Sequence, residues 1–199
     1  MILCLASHTD DETLGAGATL AGMKDEKIGF CLTAHSAFHH LLPEMLDAYE
    51  LLGIKYLPDW NQDFTHREFS RQRVLDTFIR LRDTYHPTMV FTHSSFDCHI
   101  DHKVVYEETV RAFKHCTILG YNLEWNNVTG SDFRYFNKVD SEAVKIKLAA
   151  LKCYKSQVNR TYFSPEYQIA QLVLNGQLCN SIYAEKFEVI RYVNNNGSL

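Results

Sequence analysis

Between Met1 and Tyr121, short and largely apolar runs alternate with segments whose apolar positions recur every three to four residues. The runs are Met1 to Ala6, Lys27 to Ala34, Ile54 to Leu57, Thr88 to Thr92 and Thr117 to Tyr121, each of a length and character that predicts a buried strand. The intervening segments Leu14 to Lys24, Leu41 to Leu52, Arg67 to Tyr85 and Lys103 to Lys114 have helical spacing. In the third of them Phe69, Val74, Phe78, Ile79 and Leu81 form one apolar face and Pro87 supplies the stop, while Gly53 is placed to cap the second. Five rounds of alternation predict a mostly parallel sheet with helices on both faces, wound right-handedly. Beyond Asn122 the rhythm weakens. The pattern there predicts an edge strand over Phe133 to Phe136, helices over Ser141 to Ser156 and Pro165 to Leu174, and a last strand over Phe187 to Val193. No repeat, low-complexity tract or linker interrupts the chain, so 1–199 is expected to form one domain.

Composition restricts the class. A hydrophobic content of 46% beside 22% charged residues is that of a soluble globular protein, and no stretch approaches the ~20 apolar residues of a membrane span. Six cysteines occur without a C-x-x-C pair, and Cys4 and Cys31 fall inside predicted strands. That is the usage of reduced, buried thiols in a cytoplasmic protein, and no leader-like segment precedes the first strand. Net charge is −4 with Lys and Arg dispersed, so no basic stripe invites nucleic acid. The oligomeric state stays open.

Two predicted strands end in clusters that carry chemistry. The first is followed by Ser7-His8-Thr9-Asp10-Asp11-Glu12, at a strand-to-helix turn of the kind that lies at the ligand-binding edge of a parallel sheet. A single Asp would cap the helix and meet its dipole, whereas an imidazole beside two adjacent carboxylates is more than a cap needs. The fourth strand is followed by His93-Ser-Ser-Phe-Asp-Cys-His-Ile-Asp-His102. The spacing His99-x-Asp101-His102 lets His102 bind a metal, Asp101 orient a neighbouring group and His99 face substrate. With His8 and Asp11, His102 makes a two-His, one-carboxylate set that leaves positions open for water and substrate. Zinc is the first choice of metal and divalent iron the alternative. His93, one residue past its strand, is placed to hydrogen-bond the site.

The clusters resemble the H-P-D-D-E and H-x-D-H motifs of the LmbE-like or PIG-L-like N-acetylglucosaminyl deacetylases, as His8-Thr-Asp-Asp-Glu12 and His99-Ile-Asp-His102. Glu44 with Ala48 and Leu52-Gly53 is similar to that family's E-x-x-x-A-x-x-x-L-G helix, Ser156-Gln157 to its S-Q, and Tyr183-Ala-Glu-Lys-Phe187 to its Y-A-E-x-F. The resemblance spans about the whole chain and implies a Rossmann-like three-layer α/β/α fold. It also implies a zinc hydrolase that removes an N-acetyl group from an amino sugar or sugar conjugate. His8, Asp11 and His102 would be the metal ligands and Asp10 the general base. His99, as an imidazolium favoured by Asp101, would meet the charge on the carbonyl oxygen. The chain departs from the family where Thr9 replaces Pro and where Leu41 stands near the place of a substrate-contacting Arg, which leaves that contact to His39 or His40. Asp63 falls near a family substrate-binding Asp, and Trp60, Phe64, Tyr121, Trp125 and Tyr162 could stack on a sugar ring. Two rival readings remain: a hydrolase of a non-sugar amide or of an ester, and a zinc-stabilised binding protein without turnover.

Overall fold

The computed structural model describes residues 1–33, 41–57, 70–127, 130 and 132–194. Five strands, β1 (Ile2–Ala6), β2 (Lys27–Cys31), β3 (Ile54–Tyr56), β4 (Met89–His93) and β5 (Thr117–Tyr121), pair in parallel. Two more, β6 (Tyr135–Val139) and β7 (Tyr183–Arg191), extend the sheet antiparallel beyond β5, and its order is β3-β2-β1-β4-β5-β7-β6. Among the described residues six α-helices connect them: α1 (Asp11–Gly22), α2 (Leu41–Leu52), α3 (Arg71–Tyr85), α4 (Ile100–Ala112), α5 (Ser141–Cys153) and α6 (Pro165–Leu178).

Alternation along each strand divides the core into two. Ile2 and Cys4 of β1 pack with Leu14, Leu20, Tyr49 and Leu151 under α1, α2 and α5, whereas Leu3 and Leu5 pack with Val74, Phe78 and Phe113 under α3 and α4. The result is a three-layer α/β/α arrangement around a mostly parallel sheet. α1 lies close on its face of the sheet because Gly15 has no side chain; a Cβ there would meet the Tyr121 ring at 2.6 Å. Gly53 closes α2 with φ of +65°, as the sequence pattern requires.

Sheet topology positions the site. The chain leaves β1 for β2 on one side and later returns to lay β4 on the other, so the switch point falls between β1 and β4. The ladder between them ends at Cys4 and Phe91, and the two polar clusters lie just past their carboxyl ends. The early and middle clusters therefore meet.

Several boundaries differ from expectation for identifiable reasons. α4 begins at Ile100 rather than Lys103 because His99 caps it: its Nδ1 accepts the Asp101 N–H at 3.2 Å, a role usually taken by Ser, Thr, Asp or Asn. The helix from Ser141 ends at Cys153, and Lys155–Gln157 form a separate 3-10 turn. The last strand begins at Tyr183, four residues early, because the charged pair Glu185 and Lys186 hides a strand that pairs with β6 along its first half.

Glu185 points inward. Its carboxylate accepts from the N–H groups of Ala18 and Thr19 within α1 at 3.1 and 2.7 Å and pairs with Lys147 at 2.7 Å. Lys147 in turn donates to the Leu14 carbonyl, and both side chains are almost wholly buried. This ion pair ties α1 to α5 and β7. Removing one partner would leave an uncompensated buried charge, which costs about 3–5 kcal/mol. Lys147→Met should therefore lose stability on that scale in urea denaturation. Lys147→Met with Glu185→Gln should recover part of the loss, a non-additive double-mutant cycle.

Candidate metal centre and active-site cleft

The turn after β1 carries Asp10 at the N-cap position of α1, with φ of −122° and ψ of −10°, but its side chain makes no capping hydrogen bond. The capping explanation of the two aspartates thus fails for Asp10. Asp11 instead turns back, and its Oδ2 accepts the His8 N–H at 2.7 Å. The turn is held from behind by Tyr154, whose hydroxyl donates to the Thr9 carbonyl at 2.7 Å.

Three donor atoms converge in front of this turn. His8 Nδ1 and His102 Nε2 are 3.0 Å apart, and Asp11 Oδ2 lies 3.3 Å from the first and 3.5 Å from the second. A tetrahedral zinc with bonds of about 2.0–2.1 Å sets its ligand atoms about 3.3–3.4 Å from one another. The triad matches that spacing. Each imidazole is also braced at its far nitrogen: His8 Nε2 meets Asp101 Oδ2 at 3.2 Å, and His102 Nδ1 meets Asp97 Oδ2 at 2.7 Å. Carboxylates in those positions fix ring orientation and tautomer, leaving lone pairs aimed at the shared point. The residues fit a divalent cation, and His8, His99 and His102, or Asp11, His93 and His102, also fall within metal-ligating reach of one another.

Electrostatics agree with the geometry. Burial opposes a charged His8, yet the carboxylates of Asp11, Asp101 and Asp10 outweigh it and push the ring up to about 10. Burial likewise opposes an ionised Asp11, but the imidazoles of His102, His8 and His93 hold it well below the carboxylate range. Asp10 goes the other way: burial and the Asp11 charge push its carboxyl up to about 7, close to the value that suits a general base.

His99 and Asp101 correct an expectation. Asp101 pairs with His8, and it is the Asp101 backbone N–H that donates to His99 Nδ1. Burial, followed by the neighbouring His102 and His8, lowers the His99 pKa and so favours the neutral ring, the form in which Nδ1 can accept. With Nδ1 accepting, the proton sits on Nε2. His99 is therefore a neutral N–H donor on the cleft wall instead of an imidazolium.

His93 lies behind the cluster, fully buried and stacked on His102 with centroids 3.8 Å apart. Its Nε2 accepts the Ser7 N–H at 3.0 Å and approaches the Tyr121 hydroxyl at 3.2 Å. Burial, then the charge of His102, lowers its pKa. Tyr121 is core, its hydroxyl donating to the Leu5 carbonyl, and is removed from the sugar-stacking candidates. Asp97 was the residue that motif spacing missed; the signal available was a carboxylate five positions before His102, too common a spacing to single out. Trp125 and Tyr162 are stacked on each other at 4.0 Å and both line the cleft. His39, His40, Asp63, Trp60 and Phe64 lie outside the described residues.

The cleft has a volume of about 550 Å³; its described lining includes His8, Asp10, Asp11, His99 and His102 on the side of the cluster, together with Leu41, Trp125, Asn126, Gln157, Arg160 and Tyr162. That size suits a small organic ligand. Glu12 does not share in the cleft: it is fully buried, and neither carboxyl oxygen has a hydrogen-bonding partner among the described residues. Burial, with Asp11 beside it, raises its pKa well above the usual range.

Fold and cluster together define an α/β protein with a metal-ready cleft at the switch point of its sheet. Residues 3–113, which carry both polar clusters, match the family described as PIG-L, GlcNAc-PI de-N-acetylase. The chain belongs to that family. Its fold is similar to that of N,N'-diacetylchitobiose deacetylase from Pyrococcus horikoshii, with a TM-score of 0.72 and 18% identity over 98% of this chain and 87% of that one. It is similar also to the zinc-inhibited form of teicoplanin deacetylase Orf2, with a TM-score of 0.76 and 17% identity over 98% of this chain and 99% of the other. GalB, the 4-carboxy-2-hydroxymuconate hydratase of Pseudomonas putida, shares the fold too, at a TM-score of 0.73 and 16% identity over 99% of both chains. No curated protein matches by sequence. Among the described residues no helix is long and apolar enough to cross a membrane.

Asp97→Asn should weaken metal binding about 10- to 100-fold in chelator competition while leaving the circular dichroism spectrum unchanged. Glu12→Gln tests the buried acid. The unfolded chain ionises Glu12 above about pH 4.3 and the folded chain only at higher pH, so wild-type stability falls as pH rises through the unfolded value, by at most about 1.4 kcal/mol per pH unit. The melting temperature of the metal-saturated variant relative to wild type should therefore rise between pH 4 and pH 8.

Proposed function

We propose that the protein is a metal-dependent N-deacetylase that hydrolyses the acetamide of an amino sugar or sugar conjugate. The observation that carries this reading is Asp10, a carboxylate at a helix N-cap that does not cap, lining the cleft directly beside a three-donor cage. A binding protein has no use for such a residue. The family match and the deacetylases among the similar folds point the same way.

His8, Asp11 and His102 would hold the metal, with zinc the preferred ion and divalent iron the alternative. When bound, zinc polarises a carbonyl oxygen and lowers the pKa of its water toward about 7. Asp10 would remove a proton from the attacking water and deliver it to the departing amine; a nearby dication favours the carboxylate form that this requires. The His99 Nε2–H would donate to the carbonyl oxygen as negative charge develops there. Asp101 and Asp97 would hold the ligand imidazoles in place, and Asp101 would also set the His99 tautomer through its backbone N–H. Trp125 and Tyr162 would offer an aromatic wall to the sugar ring.

Metal-loaded protein should release primary amine from N-acetylhexosamine derivatives, measured with an amine-reactive fluorophore. Loading with zinc and with ferrous iron in parallel identifies the competent ion. Release from non-sugar acetamides or from esters alone would transfer the assignment to the rival hydrolase, and no release from any of them would leave a binding protein. Asp10→Asn should lower kcat by about 10²- to 10⁴-fold with the metal content kept. His102→Ala should instead lose the metal, measured by elemental mass spectrometry.

A further inference from the structure

Among the described residues, one cation in the cleft has no partner. Arg160 lines the cavity and is exposed there, and among the described residues its side chain makes no hydrogen bond or ion pair. The other described arginines are engaged: Arg71 and Arg111 with Glu108, Arg82 with Asp83, Arg134 with Asp132, Arg191 with the Phe113 carbonyl, and Arg73 and Arg80 with neighbours of their own. The described residues of the cavity lining include no Lys and no other Arg. Apart from the histidines of the cluster, Arg160 is thus the one source of positive charge among the described lining residues.

The segment that carries Arg160 is held firmly. Its N–H donates to the Gln157 carbonyl, and its own carbonyl accepts from Phe163. On one side Tyr154 is tied to the catalytic turn, and Ser156 donates through both N–H and hydroxyl to Glu44 of α2. On the other, Gln168 donates to the Tyr162 carbonyl at 2.6 Å, while the Tyr162 ring is stacked on Trp125. On so well anchored a turn the backbone that carries the guanidinium is already ordered before a ligand arrives, and its planar fork matches phosphate or carboxylate with two parallel hydrogen bonds.

We propose that Arg160 reads charge on the substrate, binding a phosphate or carboxylate substituent of the amino-sugar conjugate while the acetamide lies at the donor cage. This rests on the deacetylase reading for the identity of the sugar, and the test separates the two. Metal-loaded wild type, Arg160→Gln and Arg160→Lys would be assayed on N-acetylglucosamine 1-phosphate, N-acetylmuramic acid and methyl N-acetylglucosaminide, which carry a phosphate, a carboxylate and no charge. Calorimetric titration with the three corresponding free amines needs no turnover. Wild type should prefer at least one anionic substrate to the neutral one. In Arg160→Gln the ratio of kcat/KM for that anion to kcat/KM for the neutral sugar should fall about 10- to 100-fold, carried by KM, with Arg160→Lys intermediate. The phosphate and carboxylate arms show which anion is read. Equal losses on charged and neutral sugars would reveal a structural role and overturn the proposal, as would a wild type indifferent to charge. If no substrate releases amine, the deacetylase reading fails and calorimetry still decides: charge-selective binding lost in Arg160→Gln upholds Arg160 as an anion site, and equal binding by wild type and variant removes it.

Discussion

His8 Nδ1 and His102 Nε2 face each other at 3.0 Å, and each ring has given its other nitrogen to a carboxylate. With the far nitrogens acting as donors, both near nitrogens present lone pairs, and Asp11 Oδ2 adds a third acceptor within 3.5 Å. Such an arrangement repels itself unless positive charge lies among the three atoms. A proton relieves part of this, which is why the His8 ring is pushed so far toward its charged form. A divalent cation relieves all of it with one ion. Asp101 and Asp97 brace the two imidazoles that face the shared point, and His93 stacks on His102 from behind.

Holding three acceptors against mutual repulsion takes a rigid frame. Parallel pairing of β1 with β4 brings two loops about ninety residues apart to one edge, and His93 continues the ladder by accepting the Ser7 N–H past its last paired residues. The helix that starts inside the site, α1, is fixed by a buried ion pair from the far end of the chain, Glu185 reaching its N–H groups and Lys147 its Leu14 carbonyl. Tyr154 secures the turn before that helix. The C-terminal elements thus act on the site through backbone atoms, an influence that leaves little trace in the spacing of chemically reactive residues.

That difference accounts for what the sequence disclosed. The parallel strands β1, β2, β4 and β5 were legible because they are buried on both faces and read as largely apolar runs, with the short edge strand β3 marked by Ile54 after the Gly53 cap, and the loop positions of His8, Asp10, Asp11, His99, Asp101 and His102 followed from them. The start of β7 was not, since Glu185 is a buried charge whose reason for being inside is a helix backbone met only in three dimensions. His99 was legible as a cleft residue but not as a helix cap, because its ring nitrogen performs a function that sequence patterns assign to smaller polar side chains. Its neutral, Nε2-protonated state follows from that cap and could not be read from the H-x-D-H spacing, which suggested a charged ring paired with Asp101. Asp97 went unnoticed for a similar reason: an acid five residues before a histidine acquires meaning only once the loop folds back.

The cleft also divides along the chain. The donors, Asp10 and the bracing aspartates all fall within residues 3–113, the stretch that matches the family, whereas Trp125, Asn126, Gln157, Arg160 and Tyr162 lie beyond it. Metal-assisted hydrolysis sets nearly the same demands on ligand spacing and proton transfer whatever the rest of the substrate is, so the chemistry is confined to one compact pair of loops. Recognition of the remainder of a substrate has no such common geometry. A scaffold that also carries a hydratase in one of its similar folds has room for that divergence. Among the described residues of this chain the far wall carries an aromatic stack and, on an anchored turn, Arg160, both apart from the cage.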